Sequence, residues 1–204
     1  SLGGIIVEPA MRQLAQPIPP AQRTAAKALA LVGPDAAPAL QLLTQQLGSS
    51  VLELRVAVLT AIGAVGSGAA DCVERVAGHL SSDHIKEAAA AATALGRIGP
   101  AAKSVVPQVM GLVGHHEKAV REAASNAVGK IGPITRVFVP TLIEQLEHDD
   151  VGVRVATAQA LGKMGADAEK AVVPLSRYVE HSSRDLRQAV MEALGGIGPA
   201  SREA

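Results

Sequence analysis

The sequence predicts an all-α fold, an α-solenoid of about six two-helix repeats, and three observations carry that reading. The string Leu95-Gly96-Arg97-Ile98-Gly99-Pro100 recurs from Val128, Leu161 and Leu194, and in weaker form from Ile62 and Leu29, always at a step of 33 residues. A fixed period over a whole chain is the signature of a repeat array. Each period holds two stretches whose apolar residues are spaced for one face of a helix. Apolar residues make up 48% of the chain and aromatics 1%, so the core is built of Ala, Leu, Val and Ile, as suits thin layers of closely packed helices.

The step divides the chain into units at about 1–32, 33–65, 66–98, 99–131, 132–164 and 165–197, with 198–204 opening a further one, all within a single elongated domain spanning 1–204. Unit 132–164 shows the pattern best. Val139, Leu142, Ile143 and Leu146 follow i, i+3, i+4, i+7 in its first half, and Val153, Ala156, Ala160, Leu161 and Met164 share a face in its second. Between them Glu147-His148-Asp149-Asp150 is a polar turn with an Asp suited to capping the second helix. Two columns of apolar residues hold across the units. Leu14, Leu47, Leu80, Val113, Leu146 and Val179 fall in the first helix, and Val32, Val65, Ile98, Ile131, Met164 and Ile197 end the second. Neither helix buries its stripe alone, so each unit needs a neighbour.

Punctuation follows the same step. Gly99 stands where a helix must stop and is expected in a left-handed C′ conformation, with Pro100 opening the next segment. Gly63, Gly96, Gly129, Gly162 and Gly195 lie inside helices, where Gly costs about 1 kcal/mol relative to Ala, so close approach of packed backbones is the expected return; Ala30 fills that column in the first unit. Pro9, Pro107, Pro140 and Pro174 fall early in four first helices, as a kink or as the N1 residue. In unit 33–65 the Pro has moved to position 38, and in unit 66–98 the run Ile85-Lys86-Glu87-Ala88 predicts a second helix starting about two residues early.

Composition narrows the function. Lys plus Arg and Asp plus Glu are both 19, so no global field draws the chain to nucleic acid or anionic lipid. The lone Cys72 excludes an intrachain disulfide framework and points to a reducing, intracellular setting, the cytoplasm first and an organelle left open. No run of 18 or so apolar residues predicts a membrane span, and no signal peptide is visible. Because the chain starts at Ser1 and 198–204 open a unit without finishing it, while Leu2, Ile5, Ile6 and Val7 offer no polar cap, the chain is expected to continue or to be covered by a neighbouring subunit.

Val120-Arg121-Glu122-Ala123-Ala124 running into Val128-Gly129-Lys130-Ile131-Gly132 resembles the short HEAT repeats of phycobilisome-lyase-like proteins. So do Val153-Arg154-Val155-Ala156 into Leu161-Gly162-Lys163-Met164-Gly165, and Leu186-Arg187-Gln188-Ala189 into Leu194-Gly195-Gly196-Ile197-Gly198, with Leu54-Arg55 opening a fourth copy. The Arg column is broken by Ala88 and Gln22. Ankyrin arrays share the period, but their Thr-Pro-Leu-His-x-Ala signature is absent. The resemblance implies a right-handed solenoid whose second helices line the concave face. It also implies that Arg55, Arg121, Arg154 and Arg187 bond to carboxylates and carbonyls of the adjacent unit, with Asp150 and Asp185 as local partners.

On that frame the polar strip expected to meet a partner is Arg97, Lys130 and Lys163, with Lys27, Thr60, Thr93, Asn126, Gln159 and Glu192 running beside them; an ordinary solvated face is the plain alternative. His115, His148 and His181 stack at the step of 33, but adjacent units lie roughly 8–10 Å apart, too far to share an ion, so they read as a solvated turn and no metal set is assigned. HEAT-like hydroxylases carry repeated His-Glu pairs on helices, whereas His116-Glu117 stands alone in a turn. Cys72 reads as a small core residue, and Gly63 to Gly68 as a repeat junction rather than a phosphate cradle. No nucleophile elbow or phosphate loop is in context. The expected function is a non-enzymatic scaffold for a protein partner, without cofactor, small-molecule substrate, nucleic acid or membrane insertion. The alternative, implied by the resemblance, is a component of a bilin lyase or isomerase acting on a phycobiliprotein.

Overall fold

The computed structural model describes residues 2–198. Residues 199–204, assigned above to a further unit, and the side chain of Leu2 lie outside the described residues. Among the described residues there is no strand. The chain forms two compact units, Ser1–Val105 and Val106–Ala204. The first holds α1 (Leu2–Leu14), α2 (Pro19–Val32), α3 (Leu40–Gln46), α4 (Leu52–Val65), α5 (Val73–Ala77) and α6 (Ile85–Ile98). The second holds α7 (Val106–Gly111), α8 (Lys118–Ile131), α9 (Val139–Gln145), α10 (Val151–Lys163), α11 (Val172–Ser176) and α12 (Arg184–Ile197). These are six helix pairs. Within the first unit α2 packs on α4 and α4 on α6; within the second α8 packs on α10 and α10 on α12.

The first helix of most repeats is shorter than its apolar stripe. A 3-10 segment precedes it at Gly33–Ala39, Gly66–Cys72, Gly99–Val105, Pro133–Phe138 and Gly165–Ala171. The residues these segments bury come three apart: Ala36 and Ala39, Ala69 and Cys72, Ala102 and Val105, Ala168 and Ala171. Side chains at i and i+3 eclipse in a 3-10 helix, so small ones form a narrow seam there. Cys72 belongs to this seam. The column of Leu47, Leu80, Val113 and Leu146 is buried as expected, but it caps the short helix or lies in the turn after it. Pro107 and Pro140 are the second residues of α7 and α9, where a missing N–H costs nothing, whereas Pro9 lies inside α1.

The second helices begin at 19, 52, 85, 118, 151 and 184, one column throughout. The expected early start in unit 66–98 is therefore not found. A shared turn locks the register. The backbone N–H of Val51 donates to Ser49 Oγ (3.2 Å), and that of His84 to Ser82 Oγ (3.2 Å). His115, His148 and His181 do the same work through Nδ1, accepting from the N–H of Glu117, Asp150 and Ser183 at 3.0, 3.0 and 3.1 Å. Asp150 then caps α10 as expected, accepting from Gly152 N, and Ser183 caps α12.

Each second helix stops at a glycine with positive φ: Gly33, Gly66, Gly99, Gly132, Gly165 and Gly198. α10 is capped by Met164 in a helical conformation, one residue before Gly165. Where the glycine is itself the cap, as in every second helix but α10, ψ lies between −132° and −159°. This corrects the left-handed helical cap expected from the sequence. The chain enters a region that only glycine visits readily, because it must swing straight into the 3-10 segment rather than complete a left-handed turn. Close approach accounts for the inner glycines in part. A Cβ on Gly63 would sit 2.7 Å from Ala94 Cα, and one on Gly162 2.6 Å from Ala193 Cα, while one on Gly129 would overlap the Lys163 side chain. Gly195 departs from the expectation, with no described atom within 4 Å of its added Cβ.

The stretch Leu52–Ala77 reaches a mean hydropathy of 1.7, but Gly66 breaks it at φ 72°. No unbroken described helix exceeds 14 residues, about 21 Å, so none is long enough to cross a hydrocarbon core of about 30 Å.

Candidate partner-binding surface

The exposed strip follows from the apolar phase of the second helices. In α8 the buried residues include Ala123, Ala124, Ala127, Val128 and Ile131, which turns Glu122, Asn126 and Lys130 to solvent. Lys27, Thr60, Thr93 and Glu192 are likewise exposed in their helices, and Gln159 is half-buried. In the second compact unit these positions converge. Glu122, Asn126, Gln159, Lys163 and Glu192 line an open cleft of about 260 Å³ across α8, α10 and α12. Lys163 Nζ donates to Asn126 Oδ1 at 2.6 Å. Burial pushes the Lys163 ammonium below its ordinary pKa; Lys130 adds to that, while Glu122 and Glu192 oppose it. The cleft thus presents an ammonium, two carboxylates and two amides, a set suited to polar and main-chain groups of a bound segment.

Of the sequence candidates, Asn126, Gln159, Lys163 and Glu192 are brought together here and Lys130 acts on Lys163 through its charge. Arg97 is exposed on α6 in the other compact unit. Glu122 lies outside the strip expected from the sequence, although it precedes Asn126 by one helical turn; it pairs with Lys118 at 3.7 Å.

The remaining columns turn inward. Arg55 reaches the next repeat, donating Nε and Nη2 to Glu87 at 2.7 Å each, and Nη1 to Ser49 O in its own turn. Among the described residues Arg121 and Arg187 hydrogen-bond within their own turns, to the carbonyls of His115 and His116 and of His181 and Ser182. The expected partners Asp150 and Asp185 do not ion-pair with them among the described residues; Asp150 is occupied as a helix cap. Arg154 lies over the Tyr178 ring, 5.9 Å from its centroid.

Glu87 occupies a column that is otherwise apolar and buried, with Leu54, Val120, Val153 and Leu186. Its carboxylate also receives hydrogen bonds from His79 Nδ1 (2.6 Å) and Ser82 Oγ (2.9 Å). An ionised carboxylate only accepts, so His79 carries its proton on Nδ1. The Arg55 hydrogen bonds, against the cost of burial and with help from His79 and Ser82, hold the carboxyl down at about 2. The sequence signal is an acid standing in an apolar column; the run 85–88 marks this acid and not a shifted helix start.

Comparison with known proteins places the chain. The family described as HEAT repeats matches residues 74–137 and 139–204, more than half of the sequence. No curated protein sequence matches. Among solved structures, an engineered protein aligns with a TM-score of 0.69 and 21% identity, over 95% of this chain and 97% of that one. The karyopherin Kap121p, bound to the extreme C-terminus of the protein phosphatase Cdc14p, aligns with a TM-score of 0.69 and 16% identity over 98% of this chain and 25% of its own. A chain of the CpcE–CpcF complex of phycocyanin lyase from Nostoc sp. PCC7120 aligns with a TM-score of 0.56 and 19% identity, over 76% of this chain and 98% of that one. At these identities the structures show a shared α-solenoid repeat fold.

Proposed function

Because the chain belongs to the HEAT-repeat family, we propose that it is a non-catalytic scaffold that holds a segment of a protein partner along the exposed face of its second helices. The observation that carries this reading is the cleft formed by Glu122, Asn126, Gln159, Lys163 and Glu192. It draws on three successive repeats, is open to solvent, and offers both charges with amides between them. Repeat arrays use such continuous faces for extended partners, and the Kap121p structure shows a solenoid of this kind with a protein terminus bound. Crosslinking mass spectrometry in native extract tests the proposal. Partner peptides are expected on Lys130 and Lys163, with Lys163→Glu removing them. Protein crosslinks confined to Lys103 and Lys170, on the 3-10 segments, would sink it.

A second reading is favoured by one observation, the near-complete coverage of a phycocyanin lyase chain. On that reading the protein works with a second HEAT-like subunit on a bilin and its apo-phycobiliprotein. Incubating the chain with both separates the two: a coloured covalent adduct supports the lyase reading, and a scaffold gives none.

A further inference from the structure

The first compact unit carries a groove of another character on the same helix faces. It is an open cavity of about 580 Å³ between α2 and α4, with Lys86 of α6 at its edge. Leu31, Leu52 and Val56 make its apolar walls, and Arg23, Lys27 and Lys86 stand on its rim. Leu31 is 90% exposed, a large aliphatic side chain held in water two residues beyond the buried Leu29. The three cations are exposed, and among the described residues none of them makes an ion pair. Glu53 is the one acid lining the groove.

The repeat frame shows that this charge is not a by-product of the fold. Three repeats on, residues 151, 152, 155, 156 and 159 take the places of 52, 53, 56, 57 and 60 and line a groove of about 280 Å³. There Glu122 stands in the column of Arg23 and Asp185 in that of Lys86. The second groove also carries Lys118 and Arg121, so its two acids are balanced by two cations, whereas the first has three cations against the single Glu53.

We infer that the first unit's groove is a docking site for an acidic peptide segment of a partner protein, one that seats a large aliphatic or aromatic side chain against Leu31, Leu52 and Val56 while flanking carboxylates meet Arg23, Lys27 and Lys86. The inference rests on the scaffold reading and names the chemistry of its partner. Charge complementarity selects an acidic occupant, and the apolar wall selects against a purely electrostatic one. Nucleic acid is a poor match, since the groove has no aromatic ring for a base to stack on. The cavity lies in the size range of pockets that bury most of a compact ligand, enough for the anchoring part of a segment rather than for a folded domain.

An array of short synthetic peptides, varied independently in net charge and in Leu and Phe content, tests this with the 204-residue chain, followed by fluorescence anisotropy on the peptides it retains. Acidic peptides that also carry Leu or Phe are expected to bind, with affinity falling as salt is raised. The pair Lys27→Glu with Lys86→Glu is expected to weaken binding at least about tenfold, and Leu31→Ser to weaken it separately. All three positions are exposed, so the variants keep the fold, which circular dichroism verifies. Retention of neutral or basic peptides, no retention at all, or affinities unmoved by these variants would overturn the inference. Partner crosslinks on Lys130 and Lys163 in any of those cases leave the scaffold reading standing; their absence as well removes both.

Discussion

Replacing Glu87 with Gln keeps the shape of the side chain and removes its charge and its titration. In the folded protein the carboxyl is held at about 2 against an ordinary 4.5. That difference is worth about 3 kcal/mol of stability, a large fraction of what a domain of this size has to lose. The folded pKa is depressed, so the contribution is fully present above the ordinary carboxylate value and is lost as pH falls from about 4.5 towards 2. At pH 7 the Gln variant should therefore be about 3 kcal/mol less stable than the wild type, and the gap should close across that acid window. Every other carboxylate is common to both proteins, so the difference curve isolates this group. Urea titrations followed by circular dichroism at a series of pH values measure it, with amide hydrogen exchange in α4 and α6 reading it locally, since repeats in an array unfold in parts. A gap that stays constant between pH 5 and pH 2 would refute the reasoning. Glu87→Leu combined with Arg55→Leu returns the position to the apolar identity of its column, and is expected to be neutral or stabilising, because a buried ion pair recovers little of its desolvation cost.

The inner glycine column should split by sign. Gly63→Ala forces a Cβ to 2.7 Å from Ala94 Cα and should destabilise by about 1–3 kcal/mol, whereas Gly195→Ala meets no described atom within 4 Å and should stabilise by up to about 1 kcal/mol; denaturant midpoints of the two decide. At Gly66, with φ 72° and ψ −140°, Asn should be no better tolerated than Ala, each costing about 1–3 kcal/mol, and an Asn variant close to wild type would point to an ordinary left-handed cap. Burial, reinforced by the neighbouring His116 and Arg121, holds the His115 pKa below its ordinary 6.5. The folded state thus favours the neutral ring, and its stability is present above 6.5 and lost as pH falls through the folded value. His115→Ser, which keeps the acceptor found at Ser49 and Ser82, should remove that acid sensitivity in pH-dependent melting. Leu95 is fully buried, so Leu95→Ala should lower the unfolding free energy by about 2–5 kcal/mol.

Much of the architecture was written locally and repeated. A column such as Val65, Ile98 and Ile131 is legible because a helix must bury the same face in every unit, and Gly99 because a helix must stop there. The 3-10 segments were harder to see. Apolar residues three apart, as at Ala69 and Cys72, satisfy a helical stripe equally well, and only the packing showed which helix they build. The histidines at 115, 148 and 181 were visible as a ladder, but their use as acceptors for turn amides depends on ring orientation. Of the candidate strip, the columns predicted exposure, while the cleft depended on how α8, α10 and α12 stack.

The sequence by itself determined the period, the helix pairs, the stops and the apolar core, since each of these is a short-range pattern that recurs every 33 residues. Tertiary structure alone decided what joins residues about one period apart: Arg55 with Glu87, Asn126 with Lys163, and the walls of both grooves. Those meetings depend on the distance and rotation between neighbouring repeats, which no single repeat encodes. The physical reason is that a stripe fixes which face of a helix is buried, whereas the partner of a side chain on any other face is chosen by the packing of the next layer.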